Sequence, residues 1–232
     1  MFTKQISAKL KKLYIFEIKF KKMKKTILFL TAFCASLSVY AQHSMKDLFE
    51  NKTKLIFMGY DLSQAKFIGT LGFTDPAAIK DRFLYAWNNT FVAEYEKYSL
   101  QKSFKLTNDK YETNVDNNQD INSKINVHER ITNESYSITE DDVKKAVSHY
   151  HSKEKDAIGL SYVVESFNKL QEKAVIWVTF VDLSNNKVLY TEKMEAKAGG
   201  FGLKNYWMAC ATKIKKDIES SKYKQWKKKF SS

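Results

Sequence analysis

The chain has 232 residues, 44% hydrophobic and 14% aromatic, with 7 Gly, 1 Pro and 2 Cys. This composition excludes a disordered chain, a collagen-like repeat and a disulfide scaffold, and it leaves enough apolar mass for one generous core. The formal charge of +13 points at first to nucleic acid, but its distribution along the chain does not.

Residues 1–22 carry seven Lys against one Glu and match no export pattern, so they read as an extension ahead of a true start at Met23, or as a long positive leader. From Met23, Lys24 and Lys25 precede an apolar stretch from Ile27 to about Leu37, too short to span a bilayer comfortably. Val39-Tyr40-Ala41 then supplies a cleavage site. The expectation is a signal peptide over 23–41, cut after Ala41, rather than a retained anchor. Phe33 before Cys34 argues against lipid attachment. With +8 of the charge ahead of residue 42, only +5 follows, and Lys222, Lys224, Lys227, Lys228 and Lys229 account for it. Residues 42–221 are neutral, so no nucleic-acid partner is expected.

Residues 54–60 (KLIFMGY) read as a buried strand, with Lys66-Phe67-Ile68-Gly69 as its hairpin partner. Asp75-Pro76 opens a helix to about Tyr98, because Asp75 caps free N–H groups and Pro76 fits the first turn. Its apolar stripe is Ile79, Phe83, Trp87, Phe91, Tyr95 and Tyr98. Residues 107–134 turn polar and read as a mobile loop or short edge strands, a place for function. Thr139-Glu140-Asp141-Asp142 starts a second helix with Val143, Val147 and Tyr150 inward. Two strands follow at Ile158–Phe167 and Ala174–Val181, then a turn at Asp182–Lys187 and a third strand at Val188–Ala196. Gly199-Gly200-Phe201-Gly202 breaks the pattern before a last helix with Leu203, Tyr206, Cys210, Ile214 and Ile218 on one side. The segments starting at Asp61 and Asp182 share five identities in ten positions. They read as two hairpins built on one Asp-initiated turn, or as an ancient duplication.

Candidate chemistry is thin. His149 and His151, with Glu154 and Asp156, could hold a metal only if the helix has ended, since residues two apart on a helix diverge. No metal and no cofactor is expected. Cys210 with His128, His149 or His151 has the types of a nucleophile and base, but its stripe position suits a buried hydrophobe. Asp61, Asp182 and Glu165 offer carboxylates without a spacing that pairs them. Gly199–Gly202 before a helix fits an anion cradle or a tight turn. Tyr223, Trp226 and Phe230 at i, i+3 and i+7 put aromatics on one face of a basic helix, which suits an anionic surface, or else a frayed terminus.

At Glu165-Ser-Phe-Asn-Lys169, Trp177-Val-Thr-Phe-Val-Asp182, Lys187-Val-Leu189 and Gly199-Gly-Phe-Gly-Leu-Lys-Asn-Tyr-Trp207, the chain resembles a family of uncharacterised exported bacterial proteins. A strand ending in Asp, a turn, a strand and a C-terminal helix is also similar to the anticodon-binding-like α/β domain of envelope accessory factors such as the curli assembly protein. The resemblance implies export but brings no catalytic residues, and the lipid-attachment Cys of those factors is missing.

The expected architecture is a two-layer α/β (α+β) sandwich, its mixed and largely antiparallel sheet packed against helices at 76–98, 139–150 and 203–221. The domain spans 42–221, with a basic aromatic tail at 222–232. The expected function is an exported, non-catalytic binding or envelope-assembly module with no transmembrane span after cleavage. Lys222, Tyr223, Trp226, Lys227 and Lys228 would meet an envelope protein or anionic surface. The alternative is a small-ligand binder or hydrolase using Gly200, Gly202, Asn205, Tyr206 and Trp207.

Overall fold

In the computed structural model, which describes residues 42–231, the apolar runs become the middle of a seven-stranded sheet. The extension, the signal peptide, the Ala41 cleavage site and Cys34 lie outside the described residues. A short helix α1 (Met45–Phe49) precedes β1 (Lys54–Asp61) and β2 (Lys66–Ile68). Helix α2 (Leu84–Ala93) is followed by β3 (Tyr111–Thr113), α3 (Asp116–Ser123), β4 (Ile131–Thr132) and α4 (Glu140–Ser148). The long strands β5 (Ala157–Asn168), β6 (Lys173–Asp182) and β7 (Lys187–Lys197) lead into α5 (Gly202–Asp217) and α6 (Tyr223–Phe230).

The expectation of a two-layer, largely antiparallel sandwich is overturned. Strands β3-β1-β5-β2-β4 form a parallel series, and only the β5–β6 and β6–β7 ladders are antiparallel. A strand has two edges, and β6 occupies one edge of β5 from Ile158 to Asn168. Strands β1 and β2 therefore share the other, β1 beside Ala157–Val163 and β2 beside Ser166–Asn168. Strand β2 is not the hairpin partner of β1 but its continuation.

Side-chain alternation explains the two cores. Leu55, Phe57, Ile158, Leu160, Ile176 and Val178 face the larger core, against Trp87 and Phe91 of α2 and Trp207 and Ile214 of α5. Ile56, Met58, Val163 and Trp177 face the smaller one, against Val143 and Val147 of α4. Helices thus cover both faces, unevenly, where a single helical layer was expected. Gly59, at φ +74°, absorbs the irregularity between Phe57 and Tyr60, so Tyr60 resumes the series toward the larger core.

The helix expected over 76–98 is segmented. Asp75 caps Pro76–Ala78 as expected, but a wider π turn at Ile79–Phe83 precedes α2, and a break at Glu94 follows it. A wide turn suits a stripe recurring every four residues, slower than the 3.6 of a regular helix.

The polar segment 107–134 holds the short edge strands that were the alternative to a loop, β3 and β4, at the two ends of the parallel series, and it adds a helix that was not expected. That helix is α3, whose Asn118 and Asn122 are fully buried. Past Phe57, β3 no longer covers the outer edge of β1, and Leu62 lies beyond the strand; asparagine amides bond the backbone at both places. Asn88 accepts from Tyr60 N (2.7 Å) and donates to Tyr60 O (2.9 Å). Asn122 also donates to Tyr60 O (2.9 Å) and accepts from Leu62 N (2.8 Å).

Candidate functional site

Five strands meet in one row, where β2, β4, β5 and β7 end and β6 begins, and Thr132 of β4 pairs with Ile68. Ile68 pairs with Asn168, Asn168 with Lys173, and Lys173 with Lys197. The connections leaving this row therefore share one end of the sheet, and backbone bonds lace them together. Lys169 N donates to Ile68 O (2.7 Å), Ala198 N to Glu172 O (2.7 Å), and Gly199 N to Tyr206 O (3.1 Å). Gly72 lies so close to the second connection that a Cβ there would stand 2.4 Å from Lys169 Cγ.

Each connection carries one large apolar side chain into solvent: Leu71 at 93% exposure, Leu170 at 65% and Phe201 at 96%. They are the three most exposed large hydrophobic residues of the described chain. Beside them Lys169 Nζ stands 3.7 Å over the Tyr206 ring, a cation–π contact. Lys169, Gly200, Phe201, Gly202, Leu203 and Tyr206 line an open cavity of about 320 Å³.

Three of the five residues expected at this loop, Gly200, Gly202 and Tyr206, line that cavity. Asn205 instead clasps the loop, donating to Phe201 O (3.2 Å). Trp207 is fully buried, stacked on Phe167 with centroids 4.6 Å apart. Leu71, Lys169 and Leu170 were not among the expected site residues. Their signal was a leucine placed inside each of two polar turns, Thr70-Leu71-Gly72 and Lys169-Leu170-Gln171.

The expected tail is an integral helix, joined to α5 through a π turn at Ile218–Lys222. Tyr223 and Trp226 are buried, and Phe230 stacks against Phe49. Glu192 holds them in place: it receives Trp226 Nε1 (2.6 Å), Tyr190 Oη (2.8 Å) and the Lys222 ammonium. Burial works to raise the Glu192 pKa, but these donors outweigh it and hold the carboxyl below its ordinary value. Lys227 and Lys228 are on the exposed side.

The carboxylates are bound up separately. Asp61 accepts from Ser63 N and Tyr150 Oη, each at 2.8 Å. Asp182 accepts from Ser184 N (3.0 Å) and Asn185 (3.1 Å). Glu165 accepts from Trp177 Nε1 (3.0 Å) and pairs with Lys193 (2.8 Å). Each of the three is held by its own set of donors, and no donor in these bonds is shared between two of them. Cys210 is fully buried, its thiol against Ala196 O (3.4 Å), and burial pushes its pKa up to about 11. His149 bonds to Lys145 O (2.8 Å) and His151 to Asp120 (3.2 Å), while His128 is exposed in a turn. Among the described residues no three His, Cys, Asp or Glu side chains are placed to hold a metal.

Compared with protein-family models, with curated proteins and with solved structures, the chain finds no match.

Proposed function

We propose that this chain is an exported, non-catalytic binding module that works through the loop end of its sheet. The observation that carries the reading is the convergence of Leu71, Leu170 and Phe201 on one laced edge, with cationic and aromatic groups beside them. Exposed apolar side chains gathered on the connections at one end of a sheet suit an interaction surface. The thiol and carboxylates that might have served catalysis are engaged in the core instead. Export is taken from the segment 23–41 and from the resemblance to exported bacterial proteins; the envelope is its natural setting.

The test is fractionation of cells that make the wild type or the double variant Leu71→Ser/Phe201→Ser. The wild type should begin at Gln42 by intact mass and be retained with the envelope, while the variant should be released with an unchanged melting temperature. A variant retained like the wild type would remove the loop end from the function.

The open cavity of about 320 Å³ lined by Lys169, Phe201 and Tyr206 favours a second reading, a small-ligand binder, since it sits at the lower end of ligand-pocket sizes. A compound that raises the melting temperature of the wild type but not of Lys169→Ala would support it. A shift that survives Lys169→Ala would place the ligand elsewhere.

A further inference from the structure

Resting on the export reading, we infer that Gln42 is a modification site, where the new first residue closes into a pyroglutamyl ring. Cutting after Ala41 frees the α-amine of Gln42. That nitrogen attacks Cδ of its own side chain, a C–N bond forms, and the side-chain amide nitrogen leaves with the proton as ammonia. The step consumes no co-reactant. It needs only the neutral amine, and a terminal amine, with an ordinary pKa of about 8, holds a share of it at neutral pH. Among the described residues no helix is long and apolar enough to cross a membrane.

The folded body begins one residue after the reacting one. The His43 side chain is 10% exposed, its Nε2 standing 3.1 Å from Asp156, and its backbone N–H donates to Asp182 (3.3 Å). Ser44 then caps α1 in a reciprocal box with Asp47. Gln42 itself is exposed and makes no hydrogen bond or ion pair. Its side chain is free to turn back on its own nitrogen, and ring closure breaks no contact of the body.

Loss of the terminal charge strands no carboxylate either. Asp182, fully buried, receives Ser184 N and Asn185 besides His43 N. Asp47 receives the N–H (2.9 Å) and hydroxyl (2.6 Å) of Ser44, and Asp156 faces His43. Each has its donors without an ammonium at residue 42. The ring also removes the free α-amine that aminopeptidases require, while the next residue is held in the fold. Chemistry protects position 42, and packing protects the chain from position 43 onward.

The experiment is intact mass spectrometry of the wild type and of Gln42→Ala. Both are made from the full chain in bacterial cells, stored overnight at neutral pH and measured without digestion. The wild type should have the mass of residues 42–232 less one ammonia, about 17 Da. Stepwise N-terminal degradation should fail on it until a pyroglutamyl aminopeptidase has acted. Gln42→Ala should keep its full mass and degrade at once.

A wild type that begins at Gln42 with full mass and an open terminus overturns the inference and leaves the export reading standing. A chain cut at another residue does the same. An ammonia loss that persists in Gln42→Ala belongs to another residue and also overturns it. A chain that keeps residues 23–41 overturns the export reading and the inference together.

Discussion

Replacing Trp226 with Ala tests whether the last helix belongs to the folded body. Its ring packs edge-on against Phe180 (5.4 Å) and stacks on Phe104 (6.2 Å), and its N–H reaches Glu192. Removing a buried indole typically destabilises by about 3–5 kcal/mol, and the lost bond to a carboxylate adds roughly 1–2 kcal/mol. For a domain of this size each kcal/mol shifts the melting temperature by about 2–4 °C, so a fall of roughly 10–20 °C is expected. Trp226→Phe keeps part of the packing but loses the N–H and the second ring of the indole, so it should show a smaller loss than Trp226→Ala. Both are read by urea unfolding followed by circular dichroism. A loss under about 1 kcal/mol for Trp226→Ala would refute the reasoning, because it would mean that α6 detaches without disturbing the core.

Other consequences are as direct. Asn186 sits at φ +60°, where alanine is strained, so Asn186→Ala should cost about 1–2 kcal/mol more than Asn186→Gly in thermal unfolding; equal losses would show that its bond to Tyr150 O matters and its conformation does not. Cys210, buried and with its thiol raised to about 11, should resist a thiol reagent at pH 8 until denaturant is added; rapid labelling of the native protein would contradict its placement. Glu192 has a lowered pKa in the folded state, so its contribution is present above the ordinary glutamate range and is lost as pH falls through the folded value. Glu192→Gln should therefore flatten the acid limb of the stability profile, and an unaltered limb would remove Glu192 from it.

The elements were largely legible from the sequence, because apolar period and caps are local signals. Strands β5, β6 and β7, the Thr139–Asp142 capping box and the inward stripe of α5 follow from them. Topology was not, and Asp61 and Asp182 show why. Both carboxylates accept the N–H two residues on, from Ser63 and Ser184. The second turn closes because Asn186 accepts a left-handed conformation. Its counterpart in the first is Ala65, a poor residue for that region, and there the chain runs on into β2. Asn185, which donates to Asp182 and accepts from Lys187 N, and Asn186 stand where the first turn has Gln64 and Ala65, and a pattern of hydrophobicity does not register that difference. The loop end was half visible for a related reason. The glycine-rich segment announces itself, whereas Leu71 and Leu170 become neighbours of Phe201 only through the register of β2, β5, β6 and β7.

The packing of Phe49 on Tyr223 (5.7 Å) and on Phe230 (6.4 Å) has a consequence for the order of assembly. Helix α1 is the first described element to be synthesised, and its aromatic cover is the last. A chain emerging from its N-terminus must keep Phe49 uncovered until residue 230 has appeared, and the closing contact joins segments about as far apart as the described chain permits. Such distant closure slows folding, since the entropy of a long loop is lost before the contact repays it.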